Sequence, residues 1–166
     1  MSIMTLRAVT AVIVGSAGAL VYCSSGFLPE MVASNFEAGG RPTSFNSRDA
    51  YRALMTTLTV LAPIFVYGGT GWLPRIVPSL FWLPHTAYGL SAERRGDTLG
   101  FIERFGLVIS CVVTGFALAM HAITMRANFL SPPHFELWLQ PSLLVAWTSF
   151  IFAAAFVYHH RFRRTL

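Results

Sequence analysis

The chain has 166 residues, of which 54% are hydrophobic and 11% are charged, and its formal net charge is +5 at pH 7. Soluble domains usually have about a quarter charged residues, so this composition argues against a soluble enzyme or binding module and indicates a membrane protein with one domain, 1–166. The basic residues are all Arg, and only a short basic run ends the chain, so nucleic acid is not expected as a partner.

Four segments are long and apolar enough to cross a bilayer, which takes about 20 mostly apolar residues. They cover about residues 8–28, 53–72, 105–125 and 137–158. The predicted fold class is therefore all-α, with four transmembrane helices in a bundle and both termini on one side of the membrane. No cofactor is expected, and the lipid bilayer is the first expected partner.

Small residues recur at every fourth position in the first and third segments. Ala11, Gly15 and Ala19 form such a stripe in the first, and Gly115 and Ala119 belong to one in the third. Stripes of this kind let helix backbones approach closely in lipid. They indicate either packing of the first and third helices within one bundle or an interface between copies of the chain.

The distribution of Arg predicts the orientation, because loops on the cytoplasmic side of a membrane carry an excess of Lys and Arg. With cytoplasmic termini, eight Arg lie inside and four lie outside. The inside set is Arg7, Arg75, Arg94, Arg95, Arg104, Arg161, Arg163 and Arg164, and the outside set is Arg41, Arg48, Arg52 and Arg126. We therefore expect cytoplasmic termini and an extracytoplasmic first connection.

That first connection is the longest polar stretch of the chain. Gly40 and Pro42 predict a tight turn within it. Val32 and Phe36 are four residues apart, which predicts a short amphipathic helix lying on the bundle, and Phe45 is a further expected apolar anchor. The stretch is therefore predicted to be ordered rather than a flexible linker.

Two helix starts can also be identified. Ser47 is suited to cap the second helix. Ser91 is suited to cap a helix that continues into the third span, with Glu93 in its first turn. Arg94 and Arg95 point about 100° apart on such a helix, so one of them is expected to pair with an acidic group or a lipid phosphate at the inner surface.

The third connection contains Asn128 and the pair Pro132-Pro133, which predict a stiff non-helical turn. We expect this turn to meet the first connection at the outer face and to form a recognition surface with it. Asn35 and Asn128 are uncharged and are expected to hydrogen-bond loop backbone there. The alternative is that the first connection only caps the bundle. The predicted surface consists of Asn35, Phe36, Gly40, Pro42, Phe45, Arg48, Asn128, Pro132 and Pro133.

Candidate chemistry is sparse. His121 is the one ionisable residue expected inside a span, and such residues mark ion paths or cofactor sites. It could join His134 and either Glu37 or Glu136 in a metal site at the outer face, but no ligand spacing specifies one. The bland interpretation is a hydrogen-bonded histidine near a helix end. No catalytic constellation is expected.

The first connection resembles a known family. Its motif is Leu28-Pro29, Val32-Ala33, Asn35-Phe36, Gly40, Pro42, Phe45 and Ser47-Arg48. This is similar to the stretch between the first two membrane helices of the bacterial family called domain of unknown function 1648, which also forms the front part of SdpI-type immunity proteins. Asn35 and Phe45 depart from the His and Trp usual there, which puts a metal or proton role inherited from that His in doubt. Further similarity follows at Tyr88-Gly89-Leu90, Glu93-Arg94-Arg95, Ala127-Asn128 and Pro132-Pro133.

The resemblance implies a bacterial inner-membrane protein, and SdpI-type relatives imply protection against a membrane-active peptide. Three hypotheses follow for this chain. It is an interaction protein that binds a peptide, lipid headgroup or membrane protein through its outer surface. It is an accessory subunit packed within a larger membrane complex. Or it is an enzyme or cofactor protein centred on His121 and His134.

Overall fold

A computed structural model describes residues 2–77, 91 and 93–163, apart from the side chains of Gln140 and Arg163. Predictions that concern Tyr88-Gly89-Leu90 and Arg164 lie outside the described residues. The elements in chain order are α1 (Ile3–Ser24), a 3-10 turn (Ser25–Phe27), β1 (Met31–Phe36), β2 (Pro42–Ser47), α2 (Arg48–Tyr67), a π-helix (Gly68–Trp72), α3 (Leu73–Ile76), α4 (Arg95–Phe129) and α5 (Leu139–Arg163).

Within the described residues, four helical segments are long and apolar enough to cross a membrane, which confirms that prediction at the level of length and composition. They extend over Ile3–Phe27, Arg48–Ile76, Arg95–Phe129 and Pro141–Phe162. The predicted all-α class was incomplete, because β1 and β2 form a two-stranded antiparallel sheet in the first connection. We call the part of the molecule with this sheet and residues 130–138 the hairpin end.

The amphipathic helix predicted from Val32 and Phe36 is therefore wrong. Both residues lie in β1, where Val32 pairs with Asn46 and Phe36 pairs with Pro42. A spacing of four places two side chains on one face in a helix and also in a strand, so it did not distinguish them. The predicted turn is confirmed at Gly40, whose φ of 78° lies in the left-handed region that favours glycine.

The helix starts give a mixed result. Ser47 caps α2 as predicted, since its side chain accepts a hydrogen bond from the N–H of Ala50. The third helix begins later than predicted, at Arg95, so Glu93 precedes its first turn. Ser91 contributes its backbone carbonyl, which accepts from the N–H groups of Arg94 and Arg95.

Helices α1, α2 and α4 pack together, and small residues set their distances. A Cβ added at Gly18 of α1 would lie 2.6 Å from Val60 Cγ2 of α2, and one added at Gly106 of α4 would lie 2.7 Å from Thr70 Oγ1 in the π-helix. Thr10 of α1 also lies 3.6 Å from the sulfur of Cys111 of α4. These glycine contacts lie outside the predicted stripes, since Ala11, Gly15, Ala19 and Gly115 are all exposed. The stripes therefore do not pack the first and third helices together at these four residues, and an interface between copies of the chain stays a prediction.

Helix α5 joins this core through aromatic side chains. The rings of Trp147 and Phe116 are tilted against each other with centroids 4.5 Å apart, and Phe162 packs edge-on against Phe101 at 5.8 Å. Among the described side chains of α5, only that of Phe162 is buried. Helix α5 thus lies at the periphery of a core made of α1, α2 and α4.

Candidate functional site

The hairpin is fastened to the bundle by one buried amide. Asn128, near the end of α4, accepts a hydrogen bond from the N–H of Ala33 at 2.7 Å and donates one to the carbonyl of Ala33 at 2.9 Å. It also donates to the carbonyl of Thr124 one turn earlier. Asn128 and Ala33 are both buried, so these bonds fix the height and the direction of β1 on the helix end.

The turn after α4 forms a second attachment. Its backbone N–H at Phe135 donates to the carbonyl of Gly40 at 2.8 Å, and the ring of Phe135 lies 4.9 Å from that of Phe36. A side chain at position 40 would collide with the Phe135 carbonyl oxygen, so glycine is required there by space as well as by φ. The first and third connections are therefore joined, as predicted.

Side-chain bonds reinforce each connection separately. Arg126 Nε donates to Glu136 Oε1 at 2.9 Å across the third connection, where the Ser131–Pro132 bond is cis. Asn35 Nδ2 donates to Ser44 Oγ at 2.6 Å across the hairpin. The non-helical turn predicted around the two prolines is confirmed.

The hairpin end presents a pocket and several exposed apolar side chains. The pocket, of about 210 Å³, lies between the hairpin turn and the start of α5, and Glu37, Phe135, Glu136 and Leu137 are among the residues that line it. Large apolar side chains exposed on this end of the molecule are Phe27, Met31, Phe45, Phe129, Leu137 and Trp138. The pocket can accept an apolar side chain of another molecule, and the carboxylates of Glu37 and Glu136 would lie beside that side chain.

The predicted surface residues fall into two groups. Phe36, Gly40 and Asn128 lie where the hairpin meets the rest of the molecule, and Pro42 pairs with Phe36 inside the hairpin. Asn35, Phe45 and Pro132 are exposed, and Pro133 is half-buried. The expectation that Phe45 is a buried anchor is wrong, since 47% of it is exposed on β2.

Arg48 serves the scaffold. Its guanidinium donates to the carbonyl of Leu28 at 3.2 Å and lies 3.4 Å from that of Gly26, so it ties the start of α2 to the end of α1. Asn35 was expected to bond loop backbone, yet it bonds the Ser44 side chain. Hydrogen bonding to loop backbone is thus confirmed for Asn128, which bonds the backbone of Ala33. For Asn35 the predicted partner was wrong.

His121 is a hydrogen-bonded histidine of the core. Its Nε2 lies 2.8 Å from the hydroxyl of Ser24, its Nδ1 lies 3.0 Å from that of Tyr51, and its ring stacks on Tyr51. His134 instead contacts the carbonyl of Pro132. The two histidines are thus engaged in separate contacts, and no three His, Cys, Asp or Glu side chains gather as metal ligands within the part of the chain that the structure describes.

A charged cluster that the sequence analysis missed lies at the opposite end of the bundle. Glu103 of α4 is fully buried, and its Oε1 accepts from Arg7 Nε at 2.6 Å and from the Tyr67 hydroxyl at 3.0 Å. Arg75 of α3 forms an ion pair with the other carboxylate oxygen, Oε2. We call Arg7, Tyr67, Arg75 and Glu103 the charged cluster.

The cluster corrects the expectation that His121 is the one ionisable residue within the spans. The third span was predicted to begin at residue 105, which placed Glu103 on the helix that precedes the span, whereas the candidate span extends over Arg95–Phe129 and includes Glu103. Arg7 and Arg75 were assigned to orientation alone. Glu103 just before the predicted third span, together with Arg near the ends of two other predicted spans, was a signal for an ion pair among helices.

The predicted inner-surface residues are not part of this cluster. Glu93, Arg94 and Arg95 are exposed around the start of α4. The expected pairing of Arg94 or Arg95 with an acidic group or a lipid phosphate stays a prediction.

Comparison with known proteins gives no relative for this chain. No family model, curated protein or solved structure matches it.

Proposed function

We propose that the chain is a multi-pass protein of the bacterial cytoplasmic membrane, without enzymatic activity, whose hairpin end faces away from the cytoplasm and recognises a peptide or another membrane protein. The attachment of the hairpin to α4 through Asn128 and Ala33 carries this proposal. A surface whose backbone is already ordered loses little conformational entropy on binding, so more of the contact energy is kept as affinity.

The side chains on this surface support a protein or peptide partner. Phe45 and Trp138 are 47% and 64% exposed, and aromatic residues supply much of the binding energy at protein interfaces. The pocket suits an apolar side chain of the partner with a basic group next to it. Glu136 is already paired with Arg126, so Glu37 is the lining carboxylate that would face this basic group.

The sheet itself offers a second mode of contact. One edge of the hairpin is occupied at Ala33 by the Asn128 side chain, and β2 pairs with no third strand among the described residues. An extended peptide can add to such an edge through main-chain hydrogen bonds. The resemblance to the SdpI-type proteins supports an envelope-response or immunity-like role for this recognition.

The membrane placement and orientation rest on other observations. The four apolar helical segments support a multi-pass protein. The excess of Arg at the end that carries the termini supports placing that end in the cytoplasm.

The second candidate function is that of an accessory subunit in a larger membrane complex. The peripheral position of α5 favours it, because Phe152 and Phe156 are 71% and 69% exposed along a helix that packs only lightly on its own bundle. Lipid covers such a face equally well, so this observation is weaker than the ordered hairpin.

Site-specific photo-crosslinking in intact cells separates the two candidates. A photoreactive amino acid is introduced at Phe45 or Leu137 on the hairpin end, and at Phe152 on α5 as the comparison position. Recognition at the hairpin end predicts one discrete adduct shared by positions 45 and 137. That adduct should be lost when Asn128→Ala releases the hairpin and retained in Asn46→Ala, a change at an exposed position of β2.

Adducts formed only from position 152 support the accessory-subunit candidate instead. Crosslinks to lipid alone from all three positions argue against both candidates. Each variant is accepted only if it inserts into the membrane at the level of the unmodified protein.

A further inference from the structure

A groove of about 360 Å³ runs between α1 and α2 at the end that carries the charged cluster. Ala11 and Gly15 line one wall, Val60 and Ile64 line the other, and Leu107 of α4 lies among the lining residues. Its volume falls in the range of small-molecule sites, about 300–1,000 Å³. The lining is almost entirely apolar, so its occupant is apolar over most of its length.

The packing of α1 and α2 explains why the groove is there. The helices touch at Gly18, where an added Cβ would lie 2.6 Å from Val60 Cγ2. At Gly15 an added Cβ would meet nothing within 4 Å. The helices therefore separate toward Arg7, and small residues on α1 leave the space between them open.

The charged cluster lies at the wide end of this groove. Arg7 and Tyr67 line it directly, and Arg7 and Arg75 share the single carboxylate of Glu103. Two guanidinium groups against one carboxylate leave an excess positive charge. Their side chains are 43% and 38% exposed, while Glu103 is fully buried, so the cations face outward and the anion does not.

We propose that this groove binds an anionic glycerophospholipid, with one acyl chain between α1 and α2 and the headgroup phosphate on Arg7. Gly15 lies eight residues beyond Arg7, which places about 12 Å of groove below the phosphate at 1.5 Å per residue. Arg7 stands one turn into α1, at the depth where headgroups meet the hydrocarbon of the bilayer. Guanidinium groups match phosphate oxygens in geometry and charge.

The surroundings of the groove favour a lipid over other ligands. Ala11 and Ile64 are exposed on helices long and apolar enough to cross a membrane. A ligand reaches the groove sideways from the bilayer, where acyl chains are the neighbouring molecules. The inference depends on the membrane placement proposed above, but not on recognition at the hairpin end.

Native mass spectrometry of the full chain in detergent tests the proposal, with phosphatidylglycerol and phosphatidylcholine of the same acyl chains as probes. Phosphatidylglycerol is expected to bind at a lower lipid concentration than phosphatidylcholine. Gly15→Leu fills the groove and should weaken retention of phosphatidylglycerol roughly tenfold, the effect of losing about two buried methylene groups. Ala11→Leu is a second variant with the same expectation.

Gly115→Leu is the matched control, since Gly115 is an exposed helical glycine of α4 whose added Cβ also meets nothing within 4 Å. It should bind phosphatidylglycerol like the unmodified protein. Equal retention of the two lipids, normal binding by both groove variants, or equal loss in Gly115→Leu would each overturn the proposal. Loss of lipid with unchanged crosslinking at positions 45 and 137 would leave hairpin-end recognition standing.

Discussion

At the scale of single residues, Asn128 takes the place of a neighbouring strand. A carboxamide carries an acceptor and a donor side by side, as a peptide group does, and both are used on the backbone of Ala33. One side chain thus satisfies two buried main-chain groups that the hairpin alone leaves unpaired.

Replacing Asn128 with Ala should destabilise the protein by about 2–6 kcal/mol, because two buried backbone groups lose their partners at roughly 1–3 kcal/mol each. The measurement is unfolding in mixed micelles of increasing denaturing detergent. Asn46→Ala removes an amide of the same size from an exposed position, where it donates to Ser34 Oγ at 2.8 Å, and should cost less than about 1 kcal/mol because an exposed partner is taken over by water. Equal effects of the two changes would show that Asn128 does not fasten the hairpin.

Glu103 is the other residue whose loss we expect to be costly. Glu103→Gln leaves Arg7 and Arg75 facing each other without a counter-charge, and should destabilise by about 2 kcal/mol. This is less than the ~3–5 kcal/mol of a fully buried pair, because both guanidinium groups are partly exposed. Glu93→Gln, at an exposed position, serves as control in the same unfolding assay, and a loss no larger than that of the control would contradict this role for the cluster.

At the scale of elements, the π-helix sets the contact between α2 and α4. Gly71 and Gly106 approach so closely that an added Cβ at Gly106 would lie 3.1 Å from the Gly71 nitrogen. The same segment leads into α3 and brings Arg75 onto Glu103. Of the glycines after Tyr67, Gly71 is therefore the one that packs closely, whereas an added Cβ at Gly68 or Gly69 would meet nothing within 4 Å.

Gly106→Ala should destabilise by about 1–3 kcal/mol, because an extra methyl group forces these two backbones apart. Gly100→Ala is its counterpart on the same helix, where an added Cβ meets nothing within 4 Å. That change should be neutral or stabilise by up to about 1 kcal/mol, since alanine favours helix over glycine. Thermal unfolding in detergent distinguishes the two, and similar shifts in Tm would refute the close contact.

The elements also show how far the sequence could be interpreted. Apolar runs gave the four long helices, and turn chemistry gave Gly40 and the Ser47 cap, because these features are local. The hairpin was missed because a strand is defined by its partner, and Val32 and Phe36 fit a helix as well. The charged cluster was missed because Arg7 and Glu103 are 96 residues apart and only packing brings them together.

At the scale of the whole molecule, polar contacts join the elements at each end of the helical core. Asn128 and Phe135 close the hairpin end, and Glu103 closes the other. The apolar faces between the two ends do little to fix how far one helix is shifted along another, because these faces pack equally well against lipid and against protein. The polar groups at the two ends are therefore expected to fix the register of the helices.

The orientation of the molecule can be measured with cysteines at the two ends. Thr43→Cys, exposed in the hairpin, should react with a membrane-impermeant thiol reagent in intact cells. Gly96→Cys, exposed at the start of α4, should react only after the membrane is permeabilised. Both are made with Cys23 and Cys111 replaced by Ala, and the reverse pattern of labelling would invert the proposed topology.

The polar contacts at the two ends both join residues that are far apart in the sequence, which matters while the chain is being synthesised. Ala33 lies 95 residues before Asn128, and Arg7 lies 96 residues before Glu103. At about 5–20 residues per second, each partner waits roughly 5–20 s for its mate to leave the ribosome. Throughout that interval the first two helices have neither set of polar contacts, so the fragment 1–102, expressed alone, should be degraded faster than the fragment 1–138.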